Sequence, residues 1–123
     1  KKVNDTYGHL VGDKILKKVA KILLASVRDT DIVCRYGGEE FAIILLEADR
    51  FWAEKIGNRI RNNVETADFT VLDKKIQITI SVGAKEFYKG DTRDTLISKT
   101  DKMLYLAKMM GRNRVVLYDE NVK

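Results

Sequence analysis

The sequence has no proline, one cysteine and one histidine in its 123 residues. The single cysteine, Cys34, forms no intrachain disulfide and, with one histidine, cannot complete a zinc cluster, so a reducing, cytosolic setting fits best. No apolar run approaches the roughly 20 residues that a membrane span needs, and no charged and apolar leader stands at the start. We therefore expect one compact cytoplasmic domain, with no membrane contact from this segment.

Apolar residues make up 45% and charged residues 33% of the chain, a balance that argues against disorder. The formal charge of +5 at pH 7 could attract an anionic ligand. However, several lysines recur with helical spacing opposite an apolar stripe, which favours a solvated helix face over contact with a nucleotide or a nucleic acid. These lysines are Lys14, Lys17, Lys18 and Lys21.

Hydrophobic periodicity predicts three helices and five strands. The helices run from about Leu10 to Val27, Arg50 to Val64 and Thr95 to Met110. The strands run from Asp31 to Tyr36, Phe41 to Leu46, Phe69 to Leu72, Ile76 to Val82 and Val115 to Tyr118. This alternation suggests an α+β or α/β architecture, with helices packed on a mixed sheet.

Two connections carry more specific expectations. Gly37-Gly38 predicts the two-residue loop of a hairpin, and Asp73-Lys74-Lys75 predicts a turn between the third and fourth strands. The second strand of the first hairpin, residues 41–46, is apolar at every position. Because side chains alternate between the two faces of a strand, we expect this strand inside a sheet, covered on both faces.

The segment Gly37-Gly38-Glu39-Glu40 combines two features of a phosphate and metal site. Two glycines leave the backbone open to a close ligand, and adjacent carboxylates present hard oxygen ligands to Mg²⁺. Gly-Gly turns beside solvated glutamates are also common, so the segment alone does not decide between a site and a surface turn.

Four segments resemble motifs of the GGDEF family, in order along nearly the whole chain. They are Arg35-Tyr36-Gly37-Gly38-Glu39-Glu40-Phe41, with glutamate in place of aspartate; Asn4-Asp5-Thr6-Tyr7-Gly8-His9-Leu10-Val11-Gly12-Asp13; Thr79-Ile80-Ser81-Val82-Gly83; and Ala107-Lys108-Met109-Met110-Gly111-Arg112-Asn113. The resemblance implies one GGDEF domain over residues 1–123, which condenses two GTP molecules into cyclic di-GMP and releases pyrophosphate. It also implies an α+β fold like that of nucleotide cyclases and polymerase palms, with a ferredoxin-like core in which helices flank a mixed sheet.

The resemblance gives the hairpin a catalytic and metal-binding role. Glu39 would hold Mg²⁺ or Mn²⁺ against the GTP phosphates, and Glu40 would be a second ligand or help to activate the attacking 3′-hydroxyl. Because neighbouring residues of a strand point to opposite faces, we rank Glu39 above Glu40, for which a plain surface acid remains an alternative.

The resemblance also implies residues that bind GTP. Asn4 and Asp13 match residues that hydrogen-bond guanine. Gly37 and Gly38 match the hairpin backbone at the substrate. The residues matched to phosphate contacts are Lys108, Arg112 and Lys1. At about 100° per residue, uninterrupted helix would put Asn4 and Asp13 on opposite faces, so a shared ligand requires a break, which Gly8 or Gly12 could supply. The alternatives are helix caps for the first pair and cations that complement a helix dipole for Lys108 and Arg112.

A second ligand site is implied by Arg28-Asp29-Thr30-Asp31, which matches the family's R-x-x-D inhibitory motif for the product. Arg28 can present a planar fork to phosphate or guanine, and Asp31 can accept from a guanine edge. Arg59 matches an arginine that completes this site from a neighbouring domain. The alternative is a cation at a helix end followed by a turn aspartate.

The family's first core strand ends in an aspartate that is the other metal ligand, and this sequence begins just after it. We therefore expect an N-terminally incomplete domain whose first central strand is missing from the chain, which would leave backbone groups unpaired in a buried sheet. Either another segment fills the gap, or the polypeptide continues upstream, where the family usually carries a sensory domain.

Three functions remain to be compared. The first is a cyclase that works as a homodimer in the cytoplasm, including as the cytoplasmic part of a membrane-bound sensor, because each domain holds one GTP and the reaction needs two. The second is a catalytically incompetent module that binds cyclic di-GMP or GTP. A nucleic-acid-binding domain comes last, because only the net charge supports it, and we expect no nucleic-acid partner.

Overall fold

The computed structural model describes residues 8–119. Along the chain lie α1 (His9–Ser26), β1 (Ile32–Arg35), β2 (Phe41–Ile44), α2 (Arg50–Thr66), β3 (Phe69–Val71), β4 (Lys74–Ile76), β5 (Val82–Ala84), α3 (Arg93–Met109) and β6 (Val115–Leu117). The three predicted helices form, with their ends within two residues of the predicted positions. In this part of the chain no helix is both long and apolar enough to cross a membrane.

The elements group into two compact units. One contains the described residues up to Leu46 together with Asn63–Ile78, and the other contains Glu47–Asn62 together with the described residues from Thr79 onward. Within residues 8–119 the strands form three two-stranded sheets, which pair β1 with β2, β3 with β4 and β5 with β6. No other segment in this range adds a strand to β2 or β5, so the predicted gap is not filled there.

In the first unit, α1 packs its apolar stripe toward β3. Residues of α1 spaced four apart form one side of this core, and residues of α2, β3 and β4 form the rest. The buried residues are Val11, Ile15, Val19, Leu23, Val64, Phe69 and Ile76. The predicted lysine face of α1 is exposed, and Lys18 extends its ammonium over the Phe69 ring, 5.4 Å from the centroid. The lysines therefore cover apolar surface while their charges stay in water.

The β3–β4 hairpin turns one residue earlier than predicted. Val71 pairs with Lys74, so the loop is Leu72-Asp73, and the predicted turn residues Lys74 and Lys75 belong to β4. Leu72 and Asp73 have φ values of 52° and 65°, the left-handed pair of a type I′ turn whose twist suits a two-residue hairpin. The predicted strand over residues 76–82 is also wrong, since Ile76 ends β4 and a new strand begins only at Val82.

The β1–β2 hairpin is antiparallel, with Ile32 opposite Ile44 and Arg35 opposite Phe41. The prediction that residues 41–46 lie inside a sheet, covered on both faces, is wrong for the described residues. Ile44 and Leu46 are 53% and 44% exposed, and β2 has a neighbour on one edge only within residues 8–119. An unbroken apolar run favours burial of both faces of a strand, but burial requires neighbouring elements that the described residues do not provide for β2.

In the second unit, β5 and β6 pair in parallel and α3 packs against both. A Cβ on Gly83 would lie 2.2 Å from the backbone nitrogen of Leu104 and 2.7 Å from the carbonyl oxygen of Thr100. Only glycine allows β5 to approach α3 this closely. The glycine of the Thr79–Gly83 motif therefore has a packing role.

Candidate functional site

The connection between β1 and β2, which we call the signature turn (residues 36–40), is longer than the predicted two-residue loop. The Tyr36 N–H donates to the Glu40 carbonyl at 2.9 Å, and the Glu40 N–H donates to the Gly37 carbonyl at 3.4 Å. The chain therefore reverses over Gly37, Gly38 and Glu39, while Tyr36 and Glu40 close the ladder. Glu39 lies in the turn itself. The assumption that strand alternation points Glu39 and Glu40 to opposite faces therefore does not apply.

The tip of the signature turn is open on all sides within the described residues. Tyr36, Gly37, Gly38, Glu39 and Glu40 are all exposed. No heavy atom lies within 4 Å of the place where a Cβ would stand on Gly37 or Gly38, and neither glycine has a left-handed φ. Neither packing nor backbone conformation thus requires glycine here, and a ligand can approach the backbone closely.

Arg35 braces the signature turn from the end of β1. Its Nε and Nη2 atoms donate to the Gly38 carbonyl at 3.0 and 2.6 Å. Two hydrogen bonds from one planar guanidinium fix the direction of that carbonyl. The sequence analysis named Arg35 only as part of the motif and gave it no role. Its position three residues before Gly38 could have indicated a contact across the turn.

Asp13 lies on the exposed face of α1, one turn into the helix. The helix begins at His9, after Gly8, which has a φ of 91°. The predicted break between Asn4 and Asp13 is therefore confirmed at Gly8, while Gly12 lies buried inside the helix. Asn4 and Lys1, which we expected to bind guanine and phosphate, lie outside the described residues.

Lys108 and Arg112 lie at the end of α3. Both side chains are exposed, and Lys108 is in the last helical turn. Gly111, Arg112 and Asn113 then follow with φ values of 121°, 64° and 49°, and the Arg112 N–H donates back to the Ala107 carbonyl at 2.9 Å. Consecutive left-handed residues other than glycine are uncommon, so this turn is held in a special conformation.

Arg28 and Asp31 form a forked ion pair after α1. Arg28 donates from Nε to Asp31 Oδ2 at 3.0 Å and from Nη2 to Oδ1 at 2.9 Å. The backbone N–H groups of Arg28 and Leu46 donate to the same carboxylate at 3.0 and 3.1 Å. Arg28 Nη2 also donates to the Leu46 carbonyl at 2.6 Å, a partner that the sequence did not reveal.

This arrangement places a charged group of the first unit out of water. The Asp31 side chain is 0% exposed, whereas that of Arg28 is 41% exposed. Hydrogen bonds from the Arg28 side chain lower the pKa of Asp31 from 3.8 to about 2, against an opposing effect of burial. Asp31 is therefore ionised at any physiological pH.

Arg59 belongs to the second unit and lies on α2. Its guanidinium lies over the indole of Trp52, 5.9 Å from the ring centroid, and the Lys55 ammonium lies 5.5 Å from the same centroid. Cations above an indole face are attracted by its negative electron density. Trp52 lies within the predicted second helix, and no sequence motif singles it out.

A buried ion pair at the start of α3 escaped the sequence analysis. Lys85 and Asp91 lie 2.7 Å apart, with side chains 0% and 6% exposed, and the Lys85 ammonium faces the rings of Tyr88 and Tyr118 at 4.4 and 4.9 Å. Hydrogen bonds from Lys85, then from the Tyr88 backbone, lower the pKa of Asp91 to about 2. The pair fixes the segment from which α3 begins, and no sequence motif marks it.

The sequence profile of the family described as "Diguanylate cyclase, GGDEF domain" matches residues 1–114. The chain belongs to the GGDEF family. A diguanylate cyclase A of Treponema denticola is 40% identical over 123 residues, which cover 99% of this chain and 33% of that protein. The GGDEF chain thus spans about one third of the curated relative it matches.

Two solved structures resemble the GGDEF chain along most of its length. The GGDEF domain of DgcB from Caulobacter crescentus, in complex with c-di-GMP, superposes with a TM-score of 0.88 and 31% identity, covering 93% of this chain and 68% of that one. The active GGEEF domain of a diguanylate cyclase from Vibrio cholerae superposes with a TM-score of 0.84 and 30% identity, covering 97% and 76%. The expected α+β, cyclase-like fold is confirmed.

Proposed function

We propose that this GGDEF domain, over residues 1–123, is the catalytic domain of a diguanylate cyclase. The reaction joins two GTP molecules through two phosphodiester bonds into cyclic di-GMP and releases two pyrophosphates. The observation that carries the proposal is the open signature turn, in which two glycines without a packing role stand beside the exposed Glu39 and Glu40. Relatives named diguanylate cyclase support it.

Glu39 and Glu40 would hold the divalent cation. Their carboxylates are the hard oxygen donors that Mg²⁺ and Mn²⁺ prefer, and when bound the ion neutralises charge on the phosphates. Within residues 8–119, no group of three or more His, Cys, Asp or Glu side chains is arranged to hold a metal. The two glutamates would therefore share the ion with nucleotide oxygens, water and ligands from elsewhere in the polypeptide.

The nucleotide would be held by contacts at its two ends. Asp13, exposed on α1, can accept hydrogen bonds from the donor edge of guanine, as Asn4 would beside it. Gly37 and Gly38 leave room for phosphate against the backbone, and the cations that would neutralise phosphate charge are Lys108, Arg112 and Lys1. Each domain would hold one GTP, so the reaction would need a homodimer.

Regulation would come from two sources. Arg28 and Asp31 would form a product-inhibition site that Arg59 of a neighbouring domain completes, and the GGDEF domain of DgcB in complex with c-di-GMP supports binding of the product. An upstream sensory domain, as the family usually carries, would supply the input, and the domain would act in the cytoplasm.

The direct test measures cyclic di-GMP formed from GTP and Mg²⁺ by the full-length polypeptide that contains this chain. Glu39→Gln should lower the rate at least about 100-fold, the size of effect expected when one group that stabilises transition-state charge is removed. Glu54→Gln, an exposed glutamate on α2, is the matched control and should keep the rate. Absence of product from the unmodified protein would reject the proposal, and retained cyclic di-GMP binding would then favour the binding module.

A further inference from the structure

The turn that follows α3, which we call the closing turn (Gly111, Arg112 and Asn113), has a positive φ at each position: 121°, 64° and 49°. A left-handed conformation is unfavourable for residues that carry a Cβ, and such residues keep it only where surrounding contacts hold them there. Asparagine tolerates it better than arginine does. The backbone of Arg112 therefore depends on contacts that hold the closing turn in place.

Two of these contacts come from the same stretch of chain. The Arg112 N–H donates to the Ala107 carbonyl at 2.9 Å, and Arg114 Nε donates to the Arg112 carbonyl at 3.1 Å. Ala107 lies near the end of α3, and Arg114 immediately precedes β6. These two bonds hold the peptide groups of Arg112, but they do not fix the closing turn relative to α2.

A third contact comes from α2. Arg61 Nη1 donates to Asn113 Oδ1 at 3.1 Å, both residues are partly buried, and both belong to the second compact unit. Gly57 lies four residues before Arg61 and therefore on the same face of α2. A Cβ on Gly57 would stand 3.2 Å from both γ carbons of Val115. Glycine thus lets α2 approach the start of β6 closely, where Arg61 reaches the closing turn.

We infer that Arg61 is a positioning residue: through Asn113 it fixes the closing turn, and thereby the place from which the Arg112 guanidinium reaches a nucleotide phosphate. The phosphate contact of Arg112 rests on the proposed function, whereas the fixing of the turn does not. Arg61 acts on the nucleotide through the turn and makes no phosphate contact of its own.

The physical reason is the entropy of binding. A long arginine side chain loses rotamer freedom when it binds a phosphate, and a mobile backbone beneath it would add to that loss. A turn that Arg61 already holds in place removes the backbone part of this cost before the nucleotide arrives. The gain applies to the bound substrate and to the transition state alike, so loss of Arg61 should change KM for GTP more than kcat.

The fixing of the turn is tested without any nucleotide, by hydrogen exchange on the full-length polypeptide that contains this chain. In Arg61→Ala the Arg112 amide should exchange at least about tenfold faster than in wild type, because the closing turn opens more often. Arg93→Ala removes an arginine of the same unit whose side chain is 88% exposed, and it should leave that rate unchanged. If Arg61→Ala does not fold, Arg61→Gln, which also removes the guanidinium, is measured in its place. An unchanged exchange rate at Arg112 in the folded Arg61 variant would overturn the inference.

The effect on the nucleotide is tested by a double-mutant cycle on the formation of cyclic di-GMP. Arg61→Ala should raise KM for GTP about fivefold and keep kcat within about twofold. In an Arg112→Ala background the same change should raise KM by less than about twofold, because the residue through which Arg61 acts is gone. Equal increases in the two backgrounds would overturn the inference, since a general structural loss does not depend on Arg112. A wild type that forms no cyclic di-GMP would instead reject the proposed function, and the exchange comparison would then decide whether Arg61 fixes the turn.

Discussion

The two ends of the β1–β2 hairpin use their acidic residues in opposite ways. At the tip, Glu39 and Glu40 are exposed beside two glycines on which an added Cβ would meet no atom within 4 Å. At the base, Asp31 is withdrawn from water and bonded to four N–H groups. The fold leaves the acids exposed at one end of the hairpin and uses the carboxylate for internal hydrogen bonds at the other, and sequence alone does not distinguish the two cases.

The largest expected effect comes from filling the open tip. Gly38→Val adds a side chain where the described residues leave space, so the free energy of unfolding should change by less than about 0.5 kcal/mol. If the tip admits a nucleotide, the rate of cyclic di-GMP formation should nevertheless fall by about 100-fold. Unfolding curves and product assays on the same sample separate the two quantities. An active Gly38→Val protein would argue against a close ligand at the tip.

Gly83→Ala is the counterpart at a closed glycine. The new Cβ would meet the Leu104 nitrogen at 2.2 Å, and relieving that overlap requires β5 and α3 to separate. We expect a loss of about 3 kcal/mol in the free energy of unfolding, at the upper end for overpacking, measured by chemical denaturation. A stable Gly83→Ala protein would show that the contact between β5 and α3 is looser than described.

Acid should weaken the base of the hairpin. The pKa of Asp31 is about 2 in the folded chain and 3.8 without its partners, so the folded state binds fewer protons. Its stabilisation is complete above about pH 4 and is lost as the pH falls toward 2. Asp91, whose pKa is also about 2, contributes in the same window.

The slope of unfolding free energy against pH checks this point. Between about pH 4 and 2, Asp31→Asn should flatten the slope relative to wild type, because one of the proton-linked groups is gone. An unchanged slope in Asp31→Asn would contradict the low pKa of Asp31 in the folded chain.

The smallest effect is expected from the brace of the signature turn. Arg35→Gln removes the two-pronged contact to the Gly38 carbonyl, which is exposed and therefore adds little to stability, less than about 1 kcal/mol. The turn should lose a fixed carbonyl direction, with a fall in cyclase rate of about tenfold or less. Comparison of Arg35→Gln with Arg35→Lys tests whether the fork, and not the charge, is what matters.

The sequence predicted the parts of this fold that depend on local pattern. Helical spacing located α1, α2 and α3, and the interruption of the helix expected between Asn4 and Asp13 lies at Gly8. The turn at Leu72-Asp73 was misplaced because leucine seldom adopts a left-handed φ, so the lysines that follow appeared to be better turn residues.

The remaining errors concern groups that meet from distant positions. Leu46 joins the Arg28–Asp31 pair through its backbone, which no side-chain pattern reports. Lys85 and Asp91 form a buried pair between tyrosine rings, although each residue on its own resembles an ordinary surface charge. The roles of Glu39, Glu40, Asp13, Lys108 and Arg112 stay predictions, supported by family membership.

Cys34 gives the chain a built-in attachment point for spectroscopy. It is the chain's single cysteine and is exposed on β1, opposite Ala42 and two residues before the signature turn. A fluorophore or spin label coupled to this thiol would need no background substitutions in this chain. The hairpin can thus report on nucleotide binding at its tip, and on the state of its base, from one labelled position.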